Sequence, residues 1–420
     1  MKPIAALFIL LRAISGRAIQ PLIFWLLIVA GNTATLADER RDRDAREPGM
    51  RVGAFRVAPA VKTSVGYDSN LFLGQSNLTT SGWTRVAPSV VISSDWNRHA
   101  VRLEADAELG LFTQSSADQY LDGQLGLAGQ ADITRRISLS AELIYERGHE
   151  ARGSDDVPGL AAEPVTFSRF SGTLGGEFRL SPLRIRPSLT ARRVDYDDVG
   201  LTGGGTSNQD DRDRDEIEGE LRVGFRFSPG YEIFLQSGFL ATDYLDRVDD
   251  GGANRDSFAV SASGGVRLRL TRLLEGTVSA GLKHTQFQDP AFRDTTDVIA
   301  DAALTWTPTP RLTVDLGLTR GTRQSTLPGT AQVTDTELAL GAAFEATRLL
   351  TLQATGGFTH SDSDGANQSE QVFNLGLGAD WAVLRTLTLS PRYEFGLRSS
   401  NVAGRDYQAH RVLIEAAYAY

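Results

Sequence analysis

The chain has 420 residues, with 52 acidic against 43 basic side chains, a formal net charge of −9 and no cysteine. An acidic chain with scattered arginines makes a poor nucleic-acid binder, and the missing thiols exclude a cysteine nucleophile, a disulfide framework and Cys-ligated zinc or iron–sulfur sites. A mean hydropathy of −0.20 with one long apolar run excludes a bundle of membrane helices.

Residues 1–37 read as a secretory signal peptide. Lys2, Arg12 and Arg17 give a positive front, Pro21–Ala30 an apolar core of the usual length, and Thr35-Leu36-Ala37 small residues at the cleavage site before Asp38. A retained membrane anchor would need about 20 apolar residues, and Arg12, Arg17 and Gln20 interrupt the run. Residues 38–54 form a charged periplasmic lead-in, whose stretch DERRDRDAREPGM has almost no apolar content and is predicted to be mobile.

From Phe55 to Tyr420 the dominant period is two, the strand period. Val101, Leu103, Ala105, Ala107, Leu109 and Leu111 alternate with Arg102, Glu104, Asp106 and Glu108, and Leu387–Leu397 repeats the pattern. On a helix such sets scatter around the cylinder; on a strand each makes one apolar and one charged face. Short connections such as Asp95–Arg98, Ser228–Gly230 and Thr347–Leu349 alternate with longer ones rich in Asp, Gly, Asn and Ser, of which Gly203–Asp211 is the clearest. Counting these connections predicts about 18 strands across 55–420.

The charged faces are too polar for a sandwich core, because unpaired buried charges cost several kcal/mol each. The apolar faces are too extensive to leave in water. A transmembrane antiparallel β-barrel resolves both, with apolar side chains in lipid, charged ones around a wet lumen and no unpaired edge. The expected fold class is therefore all-β, with short periplasmic turns, longer extracellular loops and a multi-pass place in the outer membrane of a Gram-negative bacterium. Aromatics near predicted strand ends (Trp83, Trp96, Tyr145, Phe225, Phe227, Trp306, Trp381 and Tyr393 among them) suit interfacial girdles. Val412, Ile414, Ala416, Tyr418 and Tyr420 alternate up to an aromatic terminus. That ending resembles the signal read by the outer-membrane barrel assembly machinery and marks Tyr418 and Tyr420 as its residues. A secreted β-solenoid is the competing architecture, but its repeats would be shorter, about 20–30 residues.

Little here carries chemistry. The five histidines have no metal-ligand spacing, and no GxSxG nucleophile motif occurs. No catalytic residue, metal or cofactor is assigned. Asp210–Asp215 offers four carboxylates, but interleaved arginines neutralise them and the EF-hand pattern is missing, so a solvated outer loop is expected. Inward parity instead selects Arg184, Arg186, Glu218, Glu220, Arg222, Arg226, Arg392 and Glu394 as pore-lining candidates. The alternative for each is cross-strand pairing that only keeps the wall rigid and hydrated.

The phrase Gly66-Tyr67-Asp68-Ser69-Asn70-Leu71-Phe72 resembles the N-terminal hallmark of the second putative β-barrel porin family, outer-membrane barrels often encoded within exopolysaccharide loci. Arg392-Tyr393-Glu394-Phe395 and the repeated hairpins fit it, so the resemblance spans about residues 50–420. It implies an outer-membrane channel passing hydrophilic solute and taking part in exopolysaccharide or capsular polysaccharide export. Its implied partners are outer-membrane lipid and lipopolysaccharide, the assembly machinery, polysaccharide and periplasmic export components. A general or sugar-selective uptake porin, and a structural or adhesive barrel plugged by its loops, are the alternative functions; Glu150–Val165 is the best candidate for an inward loop but is short for one.

Overall fold

The alternating segments form strands of 13–16 residues in a computed structural model. The structure describes residues 49–420 except 77, 151, 155–160, 272, 327–328 and 364, so the expected signal peptide and most of the lead-in lie outside the described residues. The first six wall strands are β1 (Phe55–Asp68), β2 (Ser81–Ser94), β3 (His99–Phe112), β4 (Tyr120–Asp132), β5 (Ile137–His149) and β6 (Thr166–Leu180). There follow β7 (Leu183–Tyr196), β8 (Arg214–Ser228), β9 (Tyr231–Tyr244), β10 (Ser257–Arg269), β11 (Leu274–Phe287) and β12 (Thr295–Thr309). The last six are β13 (Leu312–Gln324), β14 (Gln332–Thr347), β15 (Leu350–Ser363), β16 (Gln368–Ala382), β17 (Leu387–Ser400) and β18 (Tyr407–Ala419).

Each strand pairs antiparallel with the next, and β1 pairs with β18 from Ala60↔Ala419 to Asp68↔Arg411, which closes the ring of 18. Closure satisfies every ladder without leaving an edge. One stretch needs separate cover: below Ala60, β18 has run out. There the short strand Met50–Val52 doubles back through Gly53 (φ +62°) onto Val57–Phe55 and pairs with the bare edge.

Parity holds around the ring except at three hairpin ends, where the register shifts between Arg226 and Ser228, Trp306 and Thr309, and Glu345 and Thr347. Leu109, Leu125, Leu174, Leu235, Leu282, Leu340 and Ile414 lie on the outer face and are exposed, Leu235 at 71%. On β13 the outer face runs apolar from Leu312 to Leu318 and turns polar at Arg320; on β15 it runs from Leu350 to Phe358 and turns polar at His360. About seven to nine residues at ~3.3 Å each, tilted by ~40°, give a band roughly 18–23 Å tall, close to the usual barrel belt. A buried apolar cluster lies at one rim of the wall, with Phe167 on β6 and Val194 and Tyr196 on β7. Ala161, Val165, Phe167, Val194, Tyr196 and Val199 pack together where the β5–β6 and β7–β8 loops rise from their strands.

The GYDSN segment ends β1 and fastens the seam. Asp68 receives Arg411 of β18 at 2.7 Å, Ser69 N–H donates to the His410 carbonyl, and the Ser69 hydroxyl accepts from His410 N–H. Asn70 is 1% exposed; its side-chain amide donates to the carbonyls of Gly74 and Gln408, and its oxygen accepts from Gly74 N–H. Asx-type local bonding makes the turn, and the bonds to β18 clasp the first strand to the last.

Candidate functional site

Register puts all eight inward candidates on the face opposite the exposed leucines. Arg184 and Arg186 (β7) stand beside Glu218, Glu220, Arg222 and Arg226 (β8), whereas Arg392 and Glu394 (β17) lie across the ring. The two groups are therefore not one cluster. Several members are paired along the wall. Arg392 donates to Gln353 at 2.7 Å and to Asp380 at 2.9 Å, Glu394 accepts from Arg411 at 3.3 Å, and Glu220 accepts from Gln236 at 3.2 Å. Arg226 is directly opposite Glu232, and both Glu220 and Arg226 are exposed. Arg184 and Arg186 share Glu177 and Glu232, at 3.2–3.9 Å. Among the described residues Arg222 has no ion-pair or hydrogen-bond partner, and its Nε is buried.

A repeated construction, invisible in the strand pattern, shapes this wall. A glycine leaves a dent, an aromatic from the neighbouring strand lies in it, and an arginine covers the ring. Trp83 lies over Gly66 with Arg85 at 4.3 Å from its ring centroid. Phe167 lies over Gly148 with Arg169 at 4.9 Å, and Phe234 lies over Gly265 with Arg222 at 3.4 Å. A Cβ on Gly265 would stand 2.3 Å from the Phe234 ring, so only glycine fits. Flattening the ring keeps it out of the bore and gives the guanidinium a cation–π seat. Trp83 thus departs from the girdle expectation: it is an inner residue, 3% exposed, because its partner across the ladder is glycine. The sequence signal for such a stack is an inward aromatic opposite a glycine, which requires the register.

From β10 to β16 the middle of the inner face is built of small side chains: Ser261, Ser263, Ser279, Gly281, Gly317, Ala339, Gly341, Thr355 and Gly376. Lys283, Ile299, Asp301 and Glu337 are the larger inward side chains at this level of the arc. The contrast with the arginine-rich side makes the lumen asymmetric.

At the extracellular end, buried arginines tie loops together. Arg152 donates to Asp118 at 2.8 Å and to the Ala161 and Ala162 carbonyls; Arg212 pairs with Glu150 and lies 3.9 Å from the Tyr196 ring centroid. Arg255 joins Asp249 to the Ser325 and Thr330 carbonyls. Arg398 on β17 donates to the Gly153 carbonyl, so the β5–β6 loop reaches a strand on another part of the rim. The Asp210–Asp215 segment is accordingly not all solvated: Arg212 is 4% and Asp213 9% exposed, since each has partners in the loop fold. Asp213, in the β7–β8 loop, accepts from Tyr196 N–H at 2.6 Å, while burial and the surrounding aspartates push its carboxyl up to about 7. Tyr418 and Tyr420 are exposed, the former on the outer face, and Tyr420 N–H donates to the Pro59 carbonyl.

The chain resembles solved outer-membrane proteins at low identity. OpdO of Pseudomonas aeruginosa matches with 13% identity over 86% of this chain and 97% of that one, at a TM-score of 0.46. The copper transporter OprC matches with 11% identity over 89% and 82%, at 0.49, and the siderophore receptor PirA from Acinetobacter baumannii with 9% over 87% and 80%, at 0.47. No curated protein matches the sequence. The model of the family described as putative beta-barrel porin 2 matches residues 45–420, which contain the whole closed ring, its seam and its inner wall. The chain belongs to that family of porin-type outer-membrane barrels.

Proposed function

We propose that the protein is a passive conduit for hydrophilic solute across the outer membrane, and that the solute is a polysaccharide on its way out of the cell. One observation carries the conduit: the inner face combines an arc of small side chains with half-exposed charges, a wall suited to water rather than to a packed core. The pore-lining role of Arg184, Arg186, Glu218, Glu220, Arg222, Arg226, Arg392 and Glu394 belongs to this proposal. So do the reading of Tyr418 and Tyr420 by the assembly machinery and contact with lipopolysaccharide at the outer leaflet. The polysaccharide itself rests on the resemblance carried by the GYDSNLF phrase.

Planar-bilayer recording on the purified protein tests the conduit, for which a stable ohmic conductance is expected. Deleting the gene tests the solute: export predicts loss of surface glycan with small-solute uptake intact, and an uptake porin predicts the reverse. The tie from Arg398 to Gly153 favours one further reading, a barrel whose loops narrow or close its mouth. That reading predicts low or no current in the native chain and a larger one in Arg398→Ala.

A further inference from the structure

We infer that Arg222, seated on Phe234 and flanked by Arg186, is the centre of a binding station for the oxyanions of an acidic saccharide. The inference rests on the barrel being a solute conduit and adds the class of solute.

Like charges face each other here. Arg186 is directly opposite Arg222 on β7 and β8, and Arg179 is directly opposite Arg184 on β6 and β7. Like charges in such positions destabilise a sheet. Most other opposed charges on the same face are complementary: Arg192 with Glu216, Glu146 with Arg169, Lys283 with Asp297, and Glu394 with Arg411, whereas Glu108 opposite Asp122 on β3 and β4 is a like pair of acids. A wall needing only rigidity and hydration would continue that pattern. Toward the short-turn ends of β6–β8 it stops, and Arg179, Arg184 and Arg186 share two carboxylates, Glu177 and Glu232, with Arg222 beside them.

Those carboxylates are nearly buried, at 8% and 3% exposure, and hold Arg179, Arg184 and Arg186. Arg222 is left with the Phe234 ring, 3.4 Å from guanidinium carbon to centroid, and with an unpartnered buried Nε. Phe234 in turn is fixed between Gly224 on β8 and Gly265 on β10. The guanidinium is thereby held flat beside a second arginine, with no ion pair of its own among the described residues. That geometry matches the planar, bidentate recognition of carboxylate or phosphate. A preorganised cation of this kind costs little to order when an anion arrives. A uronate carboxylate and a sugar phosphate offer the same oxygens, so the site is assigned to their shared chemistry.

The test is calorimetric titration of the detergent-solubilised full-length barrel with trigalacturonate, glucose 1-phosphate and maltotriose. Barrel integrity is checked for every variant by the heat-dependent shift in gel mobility. Trigalacturonate or glucose 1-phosphate should bind and neutral maltotriose should not; whichever acid binds tighter identifies the source of the oxyanion. Arg222→Gln should weaken the binding at least tenfold. Arg222→Lys, which keeps the charge but loses the flat seat, should weaken it severalfold. Arg85→Gln removes the same charge from another stack, where Glu108 lies 3.7 Å away, and should change binding less than twofold. No binding of either acid, or equal losses for Arg222→Gln and Arg85→Gln, would overturn the site. Because binding is read without current, failure of the conduit (no conductance) and failure of this site (conductance without acid binding) are separate results.

Discussion

Asn70 shows how much one side chain can hold at this seam. It is nearly inaccessible, and its amide serves the carbonyls of Gly74 and Gln408 and the N–H of Gly74. Asn70→Ala leaves these buried groups unpaired, at a cost of about 1–3 kcal/mol. Urea unfolding in lipid vesicles should show that loss, and cleavage by added protease should begin in the 69–80 loop. Asp213 acts in the opposite sense. Its folded-state value of about 7 lies above the ordinary 3.8, so the fold holds the proton more tightly than the open loop does. Stability is therefore lost as pH rises from about 4 to 7, and the full penalty is present above 7. Hydrogen exchange of residues 197–213 should be slower at pH 5.5 than at pH 8 after correction for intrinsic rates. Asp213→Asn, which can still accept from Tyr196 N–H, should flatten that difference.

At the scale of the strand, the sequence was legible wherever the two faces differ strongly. β3 and β17 alternate leucine or aromatic with charge, and their inward and outward sets match the parity read from residues alone. β2 is less legible, since Ser81, Trp83, Arg85 and Ala87 alternate with Gly82, Thr84, Val86 and Pro88 and neither set is plainly apolar. Trp83 departs from the girdle expectation for that reason: its place depends on Gly66, a strand away, and not on its own neighbours. The loop ties were illegible for a related reason. Gly153 and Arg398 are 245 positions apart, and no local pattern joins a carbonyl to a guanidinium over that distance. Parity itself gives a sharp prediction at mid-strand. Leu340 faces outward between Leu316 and Gly356, so Leu340→Arg puts a charge in hydrocarbon and should destabilise the barrel by about 2–4 kcal/mol. Its neighbour Ala339 faces inward, and Ala339→Ser should change stability by less than about 0.5 kcal/mol. Urea titrations of both variants in vesicles measure the contrast.

For the whole molecule, the asymmetry of the lumen matters more than the chain's net charge. The chain is acidic overall, yet β6–β10 carry an inward arginine group, and the two arginine-bearing regions at β7–β8 and β17 lie across the ring from each other. Local wall charge sets which ions dwell in a bore. Replacing Arg184, Arg186 and Arg222 together by Glu should move the reversal potential in a salt gradient toward cation selectivity. An unchanged potential would remove these residues from the conducting path.

The central claim is that alternate residues face lipid and a water-filled bore. The chain has no cysteine, so single cysteines can be introduced without background. The decisive measurement is the reaction of a membrane-impermeant, charged thiol reagent with cysteines placed one at a time along β14 and β15, from Leu338 to Gly341 and from Ala354 to Gly357, during bilayer recording. The account predicts rapid modification and a step in current at Ala339, Gly341, Thr355 and Gly357, with no reaction at Leu338, Leu340, Ala354 and Gly356. Uniform reactivity along either strand, or modification at the second set and not the first, would contradict it.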